Sequence, residues 1–143
     1  MADLDTILKL EVATPKGLAL RTEADSVQAP STLGEFGVLP GHIPVLAALR
    51  SGVLRWKRGD GGTEVAAIGP GFVEAEPAGV QVLTDFFARP ADIDPETVRK
   101  EREEAEKALK AYEGNARDAR YGELRRDIEW AQARLDAASA ADA

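Results

Sequence analysis

The sequence predicts a β + α protein in two parts: an N-terminal antiparallel β-sandwich over residues 1–90, then a C-terminal antiparallel two-helix hairpin over residues 91–143. Three observations predict this division. Most glycines and prolines, and all four phenylalanines, belong to the first part, whereas Ala, Glu and Arg dominate the second. Glycine and proline interrupt short strands, while Ala, Glu and Arg favour helix. Apolar residues recur at every second position in the first part and at every third or fourth in the second.

The strands of the first part are short apolar alternations separated by turn residues, as is typical of a sandwich or barrel. The alternations predict strands at residues 7–12, 18–22, 25–29, 53–57, 64–68, 71–76 and 80–84. Pro and Gly predict turns at residues 15–17 and 77–79, and a hairpin at residues 58–62. No long helix intervenes that could cover a parallel sheet, so we expect antiparallel pairing.

The second part begins with a helix start signal. Asp94 suits the N-cap, Pro95 the first helical position and Glu96 the first turn. The helix should run to about Tyr112, and residues 113–115 should form a turn. A second helix is predicted over residues 116–138, antiparallel to the first because the loop is short.

An apolar seam is predicted between the two helices. Its members are Tyr121, Leu124, Ile128, Ala131, Leu135 and Ala138 on the second helix, and Val98, Ala105, Leu109 and Tyr112 on the first. Much of this seam is alanine, which buries little area, and the ordering entropy of the hairpin opposes its formation. We therefore expect the hairpin to be marginally stable without the sandwich or a partner protein.

The composition disfavours several kinds of site. The 143 residues contain no cysteine and one histidine, His42, so the sequence predicts no disulfide, no catalytic thiolate and no metal site. A net charge of −7 disfavours a nucleic-acid partner. We expect neither a signal peptide nor direct membrane insertion, since the N-terminus is acidic and no long apolar run occurs.

No catalytic residue is predicted. His42 lies in a Pro/Gly-rich segment, where a structural hydrogen bond is the commoner role, and no nucleophile and base pair is recognisable. The glycine-rich residues 59–62 and 69–71 lack the Gly-Lys-Ser/Thr ending of a phosphate loop, so both predict turns. Trp56 and Trp130 are predicted to be packing or interface anchors.

Arginines make the second helix locally basic, and this pattern leaves two interpretations open. The residues are Arg117, Arg120, Arg125, Arg126 and Arg134. They form either a solvated helix face or a contact surface for an acidic partner, because guanidinium groups pair with carboxylates.

Residues 34–42, Gly-Glu-Phe-Gly-Val-Leu-Pro-Gly-His, continue as Ile-Pro-Val-Leu and closely resemble the signature segment of the epsilon subunits of F-type ATP synthases. These bacterial subunits are the counterparts of the mitochondrial delta subunit. Residues 69–74 resemble the family's Gly-Gly-Phe-x-Glu-Val strand, with Pro70 in place of a usual Gly or Ser. Residues 80–85 and 91–94 resemble the junction between sheet and helices. The resemblance spans essentially the whole chain, in order.

The resemblance implies a ten-stranded sandwich with a helical hairpin, in a non-catalytic subunit of the central rotor. Such a subunit binds the gamma subunit and the ring of c subunits, and it couples proton-driven rotation to the catalytic alpha/beta head. The implied docking residues are Glu35, Phe36, Leu39, Pro40 and His42, with Glu35 near the c-ring and His42 near gamma. The implied location is peripheral, on the cytoplasmic face of a bacterial cell membrane.

In family terms the hairpin moves between a folded state and an extended state that inhibits ATP hydrolysis. The resemblance implies that Arg117, Arg120, Arg125 and Arg126 contact the alpha and beta subunits in that role. Deletion of residues 91–143 should then leave assembly intact and raise ATPase activity.

Some family members bind ATP on the folded hairpin through an Ile-Asp-x-x-Arg-Ala motif. Ile93 and Asp94 match this motif, and Arg134 matches a further position on the second helix. Thr97 and Val98 replace the Arg and Ala, however, and Trp130 stands where another Arg would be. We therefore expect no cofactor, and weak or absent ATP binding.

The residue pattern alone also allows a free-standing β-sandwich module that binds a ligand and dimerises through a coiled coil. That protein would have a pocket with convergent polar groups and would form a stable dimer. A rotor subunit would be a monomer that captures gamma. A hydrolase is disfavoured by the missing nucleophile and base pair.

Overall fold

A computed structural model describes residues 7–141 of the chain. Ten strands are followed by two helices. The strands are β1 (Leu8–Thr14), β2 (Gly17–Ala24), β3 (Ser26–Ser31), β4 (Gly34–Val38), β5 (Val45–Leu49), β6 (Gly52–Lys57), β7 (Thr63–Ile68), β8 (Gly71–Glu76), β9 (Gly79–Thr84) and β10 (Phe87–Ala88). The helices are α1 (Pro95–Ala111) and α2 (Ala119–Ala141), and a short 3-10 turn at Pro90–Asp92 leads into α1.

The strands form one ten-stranded sheet in the order β10-β7-β6-β3-β5-β8-β9-β1-β2, with β4 paired to β3. A single residue pair, Ser31 with Leu49, joins β3 to β5, so the sheet folds into two layers around this link. The predicted sandwich is confirmed. One pair, β1 with β9, is parallel rather than antiparallel, which local alternation cannot reveal because the two strands are distant in sequence.

The seven predicted strands all form, with ends that differ by one or two residues. Three further strands were not predicted from local pattern. Residues 34–38, which belong to the signature segment with the implied docking residues, are strand β4, which pairs along its whole length with β3. Gly34 and Gly37 conceal this strand, because glycine is depleted in strands and leaves no alternation to detect. β5 and the two-residue β10 were also missed.

The core lies between the two layers and is built from the inward positions of the alternating strands. Its largest fully buried side chains include Trp56, Leu8, Leu10, Leu54 and Ile68. Trp56 is 1% exposed, and its indole N–H donates to Glu64 Oε2 at 3.1 Å. A buried indole needs such a partner. The burial of Trp56 and its hydrogen bond therefore agree with its predicted role as a packing anchor.

Helix α2 lies between α1 and the sandwich. The predicted seam is present in part, with Val98, Ala105, Leu124 and Ala131 buried. The sequence interpretation missed a second stripe on α2, spaced by three, four and three residues. Its members Trp130, Ala133, Ala137 and Ala140 join a cluster with Val53, Val65 and Ala67 of β6 and β7. The helical hairpin therefore packs through α2 on the outside of one sandwich layer.

The turn between the helices is longer than predicted, since α2 begins at Ala119 rather than near residue 116. The Asp118 carboxylate accepts hydrogen bonds from the Tyr112 hydroxyl (2.6 Å) and the Asn115 backbone N–H (2.9 Å). These bonds lower the pKa of Asp118 below its ordinary value, chiefly through Tyr112, and the bond to Asp118 raises the pKa of Tyr112. Side chains that bond to nearby backbone compete with helix, which explains the delayed start.

The start of α1 differs from prediction in one contact. Pro95 occupies the first turn and Asp94 the N-cap position, but the Asp94 side chain makes no capping bond to a backbone N–H. Its carboxylate instead accepts a hydrogen bond from the Thr97 hydroxyl at 2.7 Å.

Candidate functional site

The first two predicted docking residues lie on β4, the strand that branches from β3. Glu35 is exposed and paired with Pro30 of β3. Phe36 is half-buried and packs against the sandwich core. Glu35 therefore presents its carboxylate to solvent from a strand that is paired with β3. Phe36 fixes the same strand to the core of the sandwich.

The loop after β4 carries the other three predicted docking residues. Leu39 is 63% exposed and Pro40 is half-buried. Gly41 has a φ of 82°, which favours glycine, and its N–H donates to Pro77 O at 2.8 Å. The His42 ring meets the Phe36 ring edge-on, with centroids 5.9 Å apart. These contacts tie the loop to β4 and to the β8–β9 turn. The backbone that carries exposed Leu39 is therefore held in place.

An apolar row crosses the outer face of the sandwich layer that is formed by β5, β8, β9, β1 and β2. Cross-strand partners run from Ala48 to Phe72, from Phe72 to Leu83, from Leu83 to Ala13 and from Ala13 to Leu18. Phe72, Leu83 and Leu18 are 54%, 50% and 53% exposed. Single exposed apolar residues are ordinary, but a contiguous exposed patch marks an interaction surface. We call these five residues the apolar row.

Polar residues border the apolar row on one side. In the neighbouring row Glu74 pairs with Gln81 and Gln81 with Glu11, while exposed Leu46, the partner of Glu74 on β5, extends the apolar surface at one end. Glu11 in turn forms a salt bridge with Arg21 at 3.0 Å. An apolar centre with a polar rim is the usual anatomy of a protein–protein interface.

The sequence interpretation did not single out the apolar row, although a signal was present. Along β9, Val80, Val82 and Thr84 point into the core, so Leu83 on the alternate phase must face outward. Phe72 is out of phase with buried Val73 in the same way. A large apolar residue on the polar phase of a strand was the available clue.

A cavity of about 550 Å³ lies between α1 and α2. The charged residues of its lining are three acids and two arginines: Glu101, Glu104, Asp127, Arg120 and Arg134. Arg134 Nη2 is 2.7 Å from Glu101 Oε2, and its guanidinium lies over the Trp130 ring. Trp130 is thus a packing and stacking residue on α2.

The three candidate nucleotide residues are not brought together around this cavity. Arg134 lines it, whereas Ile93 and Asp94 do not. Ile93 packs into the cluster between α2 and the sandwich, and Asp94 is bonded to Thr97. Each of the three already has a partner within the chain.

The remaining predicted arginines are exposed near the start of α2. Arg120 and Arg125 form ion pairs within the helix, with Glu123 (3.2 Å) and Glu129 (3.8 Å). Arg117 precedes the helix and donates its backbone N–H to Asn115. Exposed ion pairs of this kind contribute little stability, so the arginines remain available to a partner.

Two kinds of feature are absent from the part of the chain that the structure describes. Within residues 7–141, no three or more His, Cys, Asp and Glu side chains cluster in a way that could hold a metal ion. No helix in that range has the length and apolar character needed to cross a membrane.

Comparison with known structures shows the same fold in one chain of the cryo-EM structure of the Euglena gracilis mitochondrial ATP synthase, described as OSCP/F1/c-ring in rotational state 1. The match has a TM-score of 0.80 at 22% identity and covers 94% of this chain and 82% of that chain. A chain of the Tetrahymena thermophila mitochondrial ATP synthase, described as central stalk/c-ring, matches with a TM-score of 0.50 at 13% identity, over 95% and 96% of the two chains.

Sequence comparisons are more specific. Residues 7–90 match the family model described as ATP synthase, Delta/Epsilon chain, beta-sandwich domain. The ATP synthase epsilon chain of Moorella thermoacetica is 42% identical over 72% of this chain and 77% of its own length. That of Halalkalibacterium halodurans is 37% identical over 92% and 96%. The chain belongs to the family of ATP synthase epsilon chains, which are subunits of the ATP synthase complex and not enzymes by themselves.

Proposed function

We propose that this chain is a rotor subunit of a proton-translocating F-type ATP synthase, docking its sandwich on the gamma subunit and the c-ring. The observation that carries the proposal is the apolar row, an exposed and continuous surface on a rigid sheet. Solved relatives of the same fold lie in complexes described as F1/c-ring and central stalk/c-ring. In this position the subunit would transmit ring rotation to the catalytic head.

The gamma subunit is the occupant that we propose for the apolar row. The row presents two large apolar side chains, Phe72 and Leu83, at its centre, with small Ala13 and Ala48 beside them. Large side chains beside small ones give this face ridges and grooves, and such a surface suits the packing of a partner helix across the sheet. Aromatic residues at the desolvated centre of an interface dominate binding energy.

Glu35 and the loop after β4 are proposed to meet the c-ring and the adjoining part of gamma. Glu35 is an exposed carboxylate on a strand edge, and it can pair with a basic loop of a partner. Leu39, Pro40 and His42 extend the contact, because their loop is braced and loses little entropy on binding. The subunit would lie peripherally on the cytoplasmic face of a bacterial cell membrane, held there by its partners.

The helical hairpin is proposed to regulate hydrolysis. It packs on the sandwich through small residues, Ala133 and Ala137 against Val65 and Ala67, and such a contact can be released at low cost. The exposed Arg117, Arg120, Arg125 and Arg126 would then contact acidic surfaces of alpha and beta in the extended state.

We infer weak or absent ATP binding on the hairpin. The cavity between the helices is lined by more acids than arginines, and a polyphosphate would be repelled by Glu104 and Asp127. Arg134 would have to leave Glu101 to bind a phosphate. Calorimetric titration of the protein with ATP should show no micromolar binding, and a micromolar affinity would contradict the inference.

The docking proposal is tested by capture of purified gamma subunit on the immobilised chain. Phe72→Asp with Leu83→Asp places two charges in the apolar row and should reduce affinity for gamma at least 10-fold. Both side chains are about half exposed, so the sandwich should remain folded, as circular dichroism would show.

The matched control is Lys100→Asp together with Lys107→Asp, which changes two exposed charges on α1. This variant should capture gamma as the parent does. Equal capture by the apolar-row variant and the parent would refute gamma docking at this face.

A further inference from the structure

Four side chains from three parts of the fold form one continuous stack. Phe86 lies between β9 and β10, and its ring centroid is 5.2 Å from that of Trp130 on α2. The guanidinium of Arg134, one turn further along α2, lies over the Trp130 ring, 5.2 Å from its centroid. Arg134 Nη2 then reaches Glu101 Oε2 of α1 at 2.7 Å. The stack therefore connects the sandwich to α2 and α2 to α1.

The contacts in the stack are of types that are individually favourable. Paired aromatic rings and a cation over an indole ring both gain from the ring quadrupole. The Arg134–Glu101 contact is a short charge-assisted hydrogen bond, and the Arg134 side chain is only 17% exposed. Because Arg134 is shared between Trp130 and Glu101, losing Glu101 removes the bond that holds the guanidinium against the indole ring, and losing Trp130 removes the surface on which it stacks.

The sandwich holds its end of the stack in a fixed position. The Gly69 N–H donates to Phe86 O at 3.0 Å, and the Thr84 hydroxyl donates to Gly69 O at 2.9 Å. A Cβ at Gly69 would lie 2.7 Å from Phe86 Cδ2. Gly69 is therefore required where the Phe86 ring passes the β7–β8 turn, which gives this glycine a role beyond forming the turn.

Elsewhere the hairpin is held by small contacts. Val98 and Ala105 are the buried side chains of α1. The buried side chains with which α2 faces the sandwich are alanines, Ala133 and Ala137. An alanine methyl buries little apolar area, so these contacts are modest beside an aromatic pair joined to an ion pair.

We propose that Phe86, Trp130, Arg134 and Glu101 form a latch that fixes the folded position of the helical hairpin on the sandwich. Opening the latch at any member releases the hairpin. The regulatory meaning of that release rests on the proposed function, whereas the latch itself is a property of the isolated chain. The latch also gives Trp130 and Arg134 a role that needs no nucleotide.

The test measures the distance between the sandwich and the helix turn. The chain has no cysteine, so spin labels can be placed at Glu23→Cys on β2 and Glu113→Cys in the turn, both exposed positions. Pulsed electron paramagnetic resonance on the otherwise unchanged chain should give one predominant distance. Glu101→Gln, Arg134→Gln and Trp130→Leu should each raise the population at other, longer distances at least 5-fold.

A matched control uses the Arg125–Glu129 pair, which lies on α2 but joins no second element. Arg125→Gln should leave the distance distribution unchanged. The double variant Glu101→Gln/Arg134→Gln should open the hairpin no more than Arg134→Gln alone. The charge-reversed pair Glu101→Arg/Arg134→Glu should restore part of the folded population that each single reversal loses, which a general loss of stability would not produce.

Unchanged distances in Glu101→Gln, Arg134→Gln and Trp130→Leu would overturn the latch. Glu101 is half exposed, so Glu101→Gln should fold and gives a result even if Trp130→Leu does not. ATP hydrolysis by the assembled complex is measured separately. A hairpin that opens in these variants while hydrolysis stays at the parent rate would leave the latch intact and contradict the inhibitory function.

Discussion

The sandwich and the helical hairpin are stabilised in opposite ways. The sandwich encloses a core of large side chains, among them Trp56, Leu10 and Leu54, each at most 1% exposed. Burying a side chain of this size contributes about 1.5–3 kcal/mol. The hairpin buries mainly alanines and depends on a few polar and aromatic contacts at its surfaces. The sandwich is therefore suited to a permanent interface, and the hairpin is suited to a change of conformation.

The difference also separates the two proposed roles. Docking on a rotating partner requires a surface that keeps its shape. The apolar row meets this requirement because the other face of its strands packs into the core. A switch requires two states separated by a few kcal/mol. The weakly packed end of a structure supplies such elements, and here that end is the hairpin.

The largest expected effect is in the sandwich core. Trp56→Ala removes a side chain that is 1% exposed and should destabilise the protein by about 3–5 kcal/mol, measured by chemical denaturation. The control is Leu109→Ala on α1, where the side chain is only half-buried and the cost should be much smaller. A similar cost at both positions would remove the contrast between the two regions.

Deletion of residues 91–143 should leave the sandwich folded, although it removes a large part of the chain. The core cluster of the sandwich contains no helical residue, so the remaining domain should fold and assemble with gamma. ATPase activity of the complex should rise several-fold, because the deletion removes the element that we propose to be inhibitory. Failure of the truncated chain to fold would refute the independence of the sandwich, and unchanged hydrolysis would refute inhibition.

The smallest effect concerns a carboxyl in each region. Asp118 in the helix turn and Asp60 in the β6–β7 turn both have lowered pKa values, chiefly through Tyr112 and the Gly62 N–H respectively. A lowered folded-state pKa means that the contribution of Asp118 is present above its ordinary pKa of 3.8 and is lost as pH falls through the folded value.

Tyr112→Phe should therefore raise the pKa of Asp118 toward 3.8, as followed by NMR of the carboxyl carbon. The pKa of Asp60 is the internal reference and should not move, because its partners, Arg58 and Gly62, lie in the sandwich. An unmoved Asp118 would show that the hydroxyl bond does not brace the turn in solution.

Much of the fold could be predicted from sequence, and the failures have identifiable physical reasons. The apolar pattern located the strands from β6 to β9 closely. β8 and β9 alternate between buried and exposed residues, whereas β6 and β7 are apolar on both faces because α2 covers the outer one. The pattern missed β4, since glycines left no alternation, and the parallel pair of β1 and β9, since pairing of distant strands leaves no local pattern. It located one stripe of α2 and missed the other, because alanine and a single Trp130 do not stand out as a face.

The sequence by itself determined the two-part division, the helix start at Pro95 and the family, because these depend on local composition and on a contiguous motif at residues 34–42. Tertiary structure decided which apolar residues stay exposed, since Phe72 and Leu83 differ from core residues only in phase. It also decided the partners of Arg134. A guanidinium that could bind a phosphate in isolation is held by Glu101 and Trp130, which only the folded hairpin brings within reach.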